Sequence, residues 1–184
     1  DVTFEQGKYD LGAVFNGTTS YIETTYADVD PVFTWSCWVY KTTAWSGDEI
    51  VMQKGDYITT SNNNYALIGF TGGTFRLQLY NNTTSIGPQN FITSTVTPAI
   101  NEWTHVAATY SAGVGNIYVN GTLTGTNGSM ITWPANTNNF QLGGARVSGT
   151  PSGNFNGSID QVRLYDTVLT PAQITNLYNE VSCS

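Results

Sequence analysis

Thirteen acidic residues, one histidine and two cysteines are the groups from which this 184-residue chain could assemble a hydrolytic or metal site. A retaining glycosidase needs two carboxyl groups about 5–5.5 Å apart on one cleft. The clustered acids are Asp48 and Glu49, in WSGDEIV. Neighbours in a strand point to opposite faces, so this pair cannot act as acid and nucleophile and reads as solvated loop charges. His105, in WTHVA, is the sole histidine, and no serine or cysteine motif surrounds it. Without a second histidine the usual zinc sets are excluded, and a strand position gives His105 a core or hydrogen-bonding role. No catalytic residue is assigned, and polysaccharide hydrolysis is not expected.

Two other features call for chemistry. Asp160 stands inside the strand-like run SIDQVRLY. An unpaired buried carboxylate costs on the order of several kcal/mol, so Asp160 must be exposed, paired or bound to a metal. The second feature is aromatic rings in loop-like, polar sequence: Trp45 in TTAWSGDE, Tyr57 and Tyr65 bordering DYITTSNNNY, and Trp133 before Pro134. A flat ring stacks on a sugar face, and Trp45, Asp48, Tyr57, Asn64 and Tyr65 together make a candidate ring-plus-polar glycan site.

The positioning elements follow from composition. Aromatic residues make up 13% and charged residues only 10%, which excludes disorder. Nineteen glycines, eleven tyrosines and frequent Thr, Asn and Ser favour strands and tight turns over helices. The net charge of −7 leaves no basic patch for phosphates, so nucleic acid is not an expected partner. No run is long enough to span a membrane, and membrane insertion is not expected. The first residue is Asp1 rather than Met, which points to a mature secreted protein or a module of a larger polypeptide. Cys37 shares a strand face with Phe33, Trp35 and Val39 and reads as a buried thiol; a bridge to Cys183 stays open.

Four Asn-Gly pairs punctuate the chain at Asn16, Asn120, Asn127 and Asn156, each suited to a type I′ turn. The clearest hairpin pairs Ile117–Val119 with Thr122–Thr124 across Asn120-Gly121. Further short strand-like runs recur at the spacing of a sandwich or jelly roll, with no strand–helix alternation. One helix is expected at the C-terminus, with Thr170 as N-cap, Pro171 at its first position, and Ile174, Leu177, Tyr178 and Val181 at helical spacing. The expectation is an all-β fold: one domain over residues 1–184, a two-sheet antiparallel jelly-roll sandwich with a short C-terminal helix.

Taken in order, LGAVFNGTTSYIE, FTWSCWVY, EIVMQKG, NEWTHVAATYSAGVGNIYVNGTL and FNGSIDQVRLYDTVLTPAQITNLY resemble the laminin-G-like jelly rolls of the concanavalin A-like lectin and glucanase superfamily, over about residues 11 to 179. The resemblance implies two packed antiparallel sheets with a rim of variable loops, onto which the Trp45 cluster would fall. It also implies a structural calcium ion, held by Asp160 together with Asn16, Gly17 and Ser20 of the early hairpin; calcium accepts carbonyls and waters, so one carboxylate can suffice. An acidic residue often found before the hairpin tyrosine is here Ser20. The alternative for Asp160 is to accept backbone N–H bonds or to pair with Arg163 or Arg146. Members of the superfamily bind glycans, proteins or lipids, and others cleave polysaccharides. The expected function is a non-catalytic module binding a glycan or cell-surface ligand, in an extracellular, cell-surface or virion protein, with a structural spacer or protein-interaction domain as the alternative.

Overall fold

The computed structural model describes residues 1–26, 31–44, 47–55, 64–81, 90–133, 138–147 and 150–181, with the backbone alone for 64–67, 70, 81, 146, 147, 150 and 151. Two antiparallel sheets face each other. The seven-stranded sheet runs, in spatial order, β1 (Thr3–Gln6), β2 (Leu11–Asn16), β15 (Asn156–Tyr165), β4 (Phe33–Tyr40), β9 (Thr104–Ser111), β10 (Val114–Val119) and β11 (Thr122–Asn127). The six-stranded sheet runs β3 (Ile22–Glu23), β12 (Phe140–Leu142), β5 (Glu49–Lys54), β6 (Asn64–Thr71), β7 (Thr74–Asn81) and β8 (Asn90–Thr93). A separate hairpin pairs β13 (Ala145–Val147) with β14 (Thr150–Ser152), and one helix, α1 (Pro171–Asn179), follows β15. This is the jelly-roll sandwich expected from the sequence. No helix among the described residues is long and apolar enough to cross a membrane.

Period-two alternation builds the core. Phe33, Trp35, Cys37 and Val39 of β4 face Val51, Ile68, Leu77 and Phe140 of the opposite sheet in one apolar cluster. Cys37 is fully buried as a free thiol, and burial raises its pKa; Cys183 lies outside the described residues. The Asn120-Gly121 hairpin forms as expected: Val119 pairs with Thr122, and both turn residues have the positive φ of a type I′ turn, 49° and 76°.

Four sequence expectations need correction. Trp133 is no loop-surface ring: it is 1% exposed and meets Trp35 edge-on at 6.4 Å. Asn156-Gly157 is not a turn but the start of β15, paired with Asn16 and Phe15 of β2. The helix has the expected Thr170 capping box with Gln173, but it ends at Asn179, leaving Val181 79% exposed. Glu49 is not a solvated loop charge. It opens β5 buried, and both its carboxylate oxygens accept from Lys41 Nζ, at 2.5 and 2.6 Å. Lys41 follows β4, so this buried pair joins the two sheets; the backbone N–H of Asn156 donates to Glu49 as well.

Candidate functional site

Each sheet has an outer face, and the two differ in kind. On the seven-stranded sheet, Trp38 of β4 and His105 of β9 stand opposite one another and pack under Tyr178 of α1, with Trp38 and Tyr178 stacked at 5.6 Å. Ile174 buries itself against Ala107 and Tyr118 beside them. His105 is 2% exposed, and burial, reinforced by the Arg163 guanidinium, lowers its pKa to about 4. A neutral imidazole under a helix is the core role expected from its strand position.

Asp160 belongs to this face too, beside Trp38 on β15. It is buried, and its carboxylate accepts two backbone N–H bonds, from Tyr9 at 3.0 Å and Gln161 at 2.6 Å. Gln161 sits in a bulge with φ 49°, so the carboxylate holds a strained backbone turn in place. Gly7 is needed opposite: a Cβ there would approach Asp160 Oδ2 to 2.5 Å. Arg163 pairs with Glu180 instead, and the Arg146 side chain lies outside the described residues. Of the readings open at the sequence level, backbone hydrogen bonding accounts for the charge.

The calcium ligands expected with Asp160 do not join it. Register places Asn156 opposite Asn16, and Asp160 stands four residues further along β15, roughly 13 Å at strand rise. Asn16 Oδ1 accepts from the backbone N–H groups of Thr18, Thr19 and Ser20, and Ser20 Oγ accepts from Asn16 N at 2.6 Å. Those oxygens, with Gly17 at φ 71°, are used in closing their own turn. The four residues therefore do not fit one shared ion.

The six-stranded sheet carries the other face. Phe75, Leu77 and Leu79 of β7 point to the core, so Arg76, Gln78 and Tyr80 point away from it. By the same alternation Gln53 follows the core residue Met52, Gln141 separates Phe140 from Leu142, and Phe91 precedes Ile92. Register aligns these positions: Glu23 opposes Gln141, Gln141 opposes Gln53, Gln53 opposes Leu67, Leu67 opposes Gln78, and Gln78 opposes Phe91. One row crosses all six strands, with neighbours about 5 Å apart. Tyr65 opposes Tyr80 in an adjacent row.

The amides of this row are buried, at 0% exposure for Gln53, 2% for Gln141 and 8% for Gln78. Gln53 Nε2 donates to Gly55 O at 2.7 Å, but its buried Oε1 receives no hydrogen bond. Arg76 Nη1 donates to Gln78 Oε1 at 3.3 Å, and the guanidinium lies 4.5 Å from the Phe91 ring centroid. Phe91 is 48% exposed. Amides that donate and accept, next to an exposed ring, suit vicinal hydroxyls on an apolar ring face. Glu23 is the row's single carboxylate, so the row offers no glycosidase pair.

Of the ligand residues expected from sequence, Trp45 and Tyr57 lie outside the described residues. Asp48 is exposed and accepts from Thr71 Oγ1 at 2.7 Å, at the end of β6 opposite to Asn64 and Tyr65, roughly 23 Å away at strand rise. Of the three described members, Asp48 is therefore not brought together with Asn64 and Tyr65, and Tyr65 falls beside the amide row. Sequence reasoning missed Gln53, Gln78, Gln141, Arg76 and Phe91. Their signal was the polar residue at the outward position of apolar strands, as in TFRLQLY and EIVMQKG.

A family model of the concanavalin A-like lectin/glucanases superfamily matches residues 16–175. Among curated proteins, none matches significantly. Solved structures share the fold. Domain 4 of the extracellular arabinanase AbnA from Geobacillus stearothermophilus, in complex with arabinotriose, is similar at TM-score 0.73 and 22% identity, over 97% of this chain and 81% of that one. The sialidase module CBM40 of Ruminococcus gnavus, bound to α2,3-sialyllactose, reaches TM-score 0.74 at 15% identity, over 91% and 96%. A pentraxin of Limulus polyphemus reaches 0.67 at 16%, over 90% and 80%.

Proposed function

From the premise that the chain belongs to the concanavalin A-like lectin/glucanases superfamily, we propose that it is a non-catalytic carbohydrate-binding module of an extracellular, cell-surface or virion protein, and that it takes its glycan on the outer face of the six-stranded sheet. The observation that carries this reading is the row from Glu23 to Phe91, in which buried amides stand next to an exposed ring and Gln53 Oε1 has no donor. A buried acceptor left unmade costs about 1–3 kcal/mol, and a sugar hydroxyl is a group that would satisfy it. The arabinotriose and sialyllactose bound by two of the similar structures support a saccharide as the occupant.

A glycan array followed by calorimetry tests the proposal. Phe91→Ala should weaken binding of any hit by about 1–3 kcal/mol, as for an aromatic contact at an interface, with the melting temperature nearly unchanged. Trp45→Ala in the same panel separates the rim from the sheet face. If Trp45→Ala abolishes binding and Phe91→Ala does not, the site lies on the rim. Incubation of the hit with the protein should release no shorter saccharide.

A protein-interaction reading is favoured by one observation. Phe4 of β1 and Leu11 of β2 are each 62% exposed, diagonal to one another at the sheet's edge. Loss of partner capture on Phe4→Ser with glycan binding intact would assign that edge to adhesion.

A further inference from the structure

Among the described cations of this chain, Arg76 is the one with a buried N–H that has no acceptor. Lys41 pairs with Glu49, Arg163 pairs with Glu180, Lys54 donates to Asn138 O, and Lys8 lies over the Trp38 ring. Arg76 has no carboxylate within ion-pair distance among the described residues, in a chain where acids outnumber bases thirteen to six. Its Nη1 is used on Gln78 Oε1, its Cζ lies 4.5 Å from the Phe91 ring centroid, and its Nε–H is buried with no acceptor. The Nε–Nη2 edge is thus left over. That edge presents two parallel N–H bonds, the fork that matches the two oxygens of a carboxylate. Gly69, opposite Arg76 on β6, contributes no side chain beside it.

Resting on the sugar-binding reading above, we propose that Arg76 selects a carboxylate-bearing sugar: the ligand of this face is an acidic glycan, its carboxylate on the Nε–Nη2 edge of Arg76 and its ring hydroxyls on Gln78 and Gln53. Arg76 lies one residue pair from the Gln78 end of the row, and Gln53 lies two strands away. The two unpartnered atoms are thus separated by roughly 12 Å between backbone positions, a span that calls for more than one sugar unit. The contact with the Phe91 ring and the bond to Gln78 Oε1 hold the guanidinium in advance, which limits the entropy lost on capture.

The test compares ligands that differ only in the charge: oligogalacturonide against its methyl ester, and sialyllactose against lactose, each titrated calorimetrically into the protein. At least one acidic member should bind about 10- to 100-fold more tightly than its neutral counterpart, the range for hydrogen bonds to a charged group. Arg76→Gln should erase that ratio, and Arg76→Lys should restore part of it, since the charge returns without the fork. A melting temperature within a few degrees of the parent confirms that the variants are folded. Equal affinity for acidic and neutral members, or a ratio unchanged in Arg76→Gln, overturns the inference while leaving sugar binding standing. Preference for a sulfated over a carboxylated oligosaccharide overturns the carboxylate assignment. Failure of every glycan on an array to bind overturns both readings.

Discussion

The two outer faces of this sandwich are built by the same alternation and end in opposite conditions. On the seven-stranded sheet the outward residues Trp38 and His105 are sealed under α1, and the one buried carboxylate, Asp160, is satisfied by backbone. On the six-stranded sheet the outward residues are amides and a guanidinium, two of whose buried atoms have no partner, beside a half-exposed ring. Each face leaves buried polar atoms without a partner: His105 Nδ1 under the helix, and Gln53 Oε1 and Arg76 Nε on the amide face. What differs is the surroundings, since α1 covers the first and the half-exposed Phe91 ring flanks the second.

The largest expected effect would break the sealed face. Ile174→Ala removes a fully buried side chain between α1 and the sheet, and should cost about 2–5 kcal/mol in denaturant unfolding. Affinity for a glycan should hold in the folded fraction, because the two faces do not share residues.

Acid should weaken the same face more gently. His105 has a folded pKa of about 4 against 6.5 for the free side chain. Between those values the unfolded chain binds more protons than the folded one, so stability falls as pH drops from about 6.5 to about 4, by about 3 kcal/mol in total. Unfolding curves at a series of pH values measure the slope. His105→Phe should flatten it.

On the outer face of the six-stranded sheet the effects on stability and on affinity separate. Gln53→Leu removes an Oε1 that is already unmade but also the Nε2 bond to Gly55 O; the two effects oppose one another, so the net loss of stability should stay within about 1–2 kcal/mol. Affinity for the glycan should fall about tenfold, the effect of one lost hydrogen bond to a neutral group. A large loss of stability with unchanged affinity would show that the amide row is internal structure.

The smallest effect expected is that of a chelator. The four residues that resemblance grouped around calcium are divided between a self-closed turn and a backbone-bonded Asp160. Excess EDTA should therefore leave the melting temperature where it was. A drop reversed by added calcium would locate an ion elsewhere in the chain and give the sequence resemblance more weight than the register.

The fold was legible because its signals are local or periodic: the β4 face of Phe33, Trp35, Cys37 and Val39, the Asn120-Gly121 turn and the Thr170 cap all lie within a few residues of themselves. The site was not, because register decides it. Nothing in TFRLQLY or FQL says that Gln78 and Gln141 share a row; that follows from which strands pair and with what offset. Asp48 and Tyr65 are close in sequence pattern yet stand at opposite ends of β6. Glu49 misled for a related reason: its partner Lys41 is on the other sheet, and only the packing brings a lysine to that carboxylate.

β15 lies in the sheet of seven strands between β2 and β4, although it follows every other described strand in the sequence. Until the ribosome has released residues 156–165, the facing edges of β2 and β4 have no neighbour and the sandwich cannot close. Pairing at such sequence distance is slow, and open strand edges invite association with other chains. The newly made domain therefore depends on β15 to lock its first third, and nascent chains stalled before β15 should be captured by chaperones or aggregate, whereas a stall beyond α1 that leaves the domain clear of the ribosome should yield a protease-resistant domain.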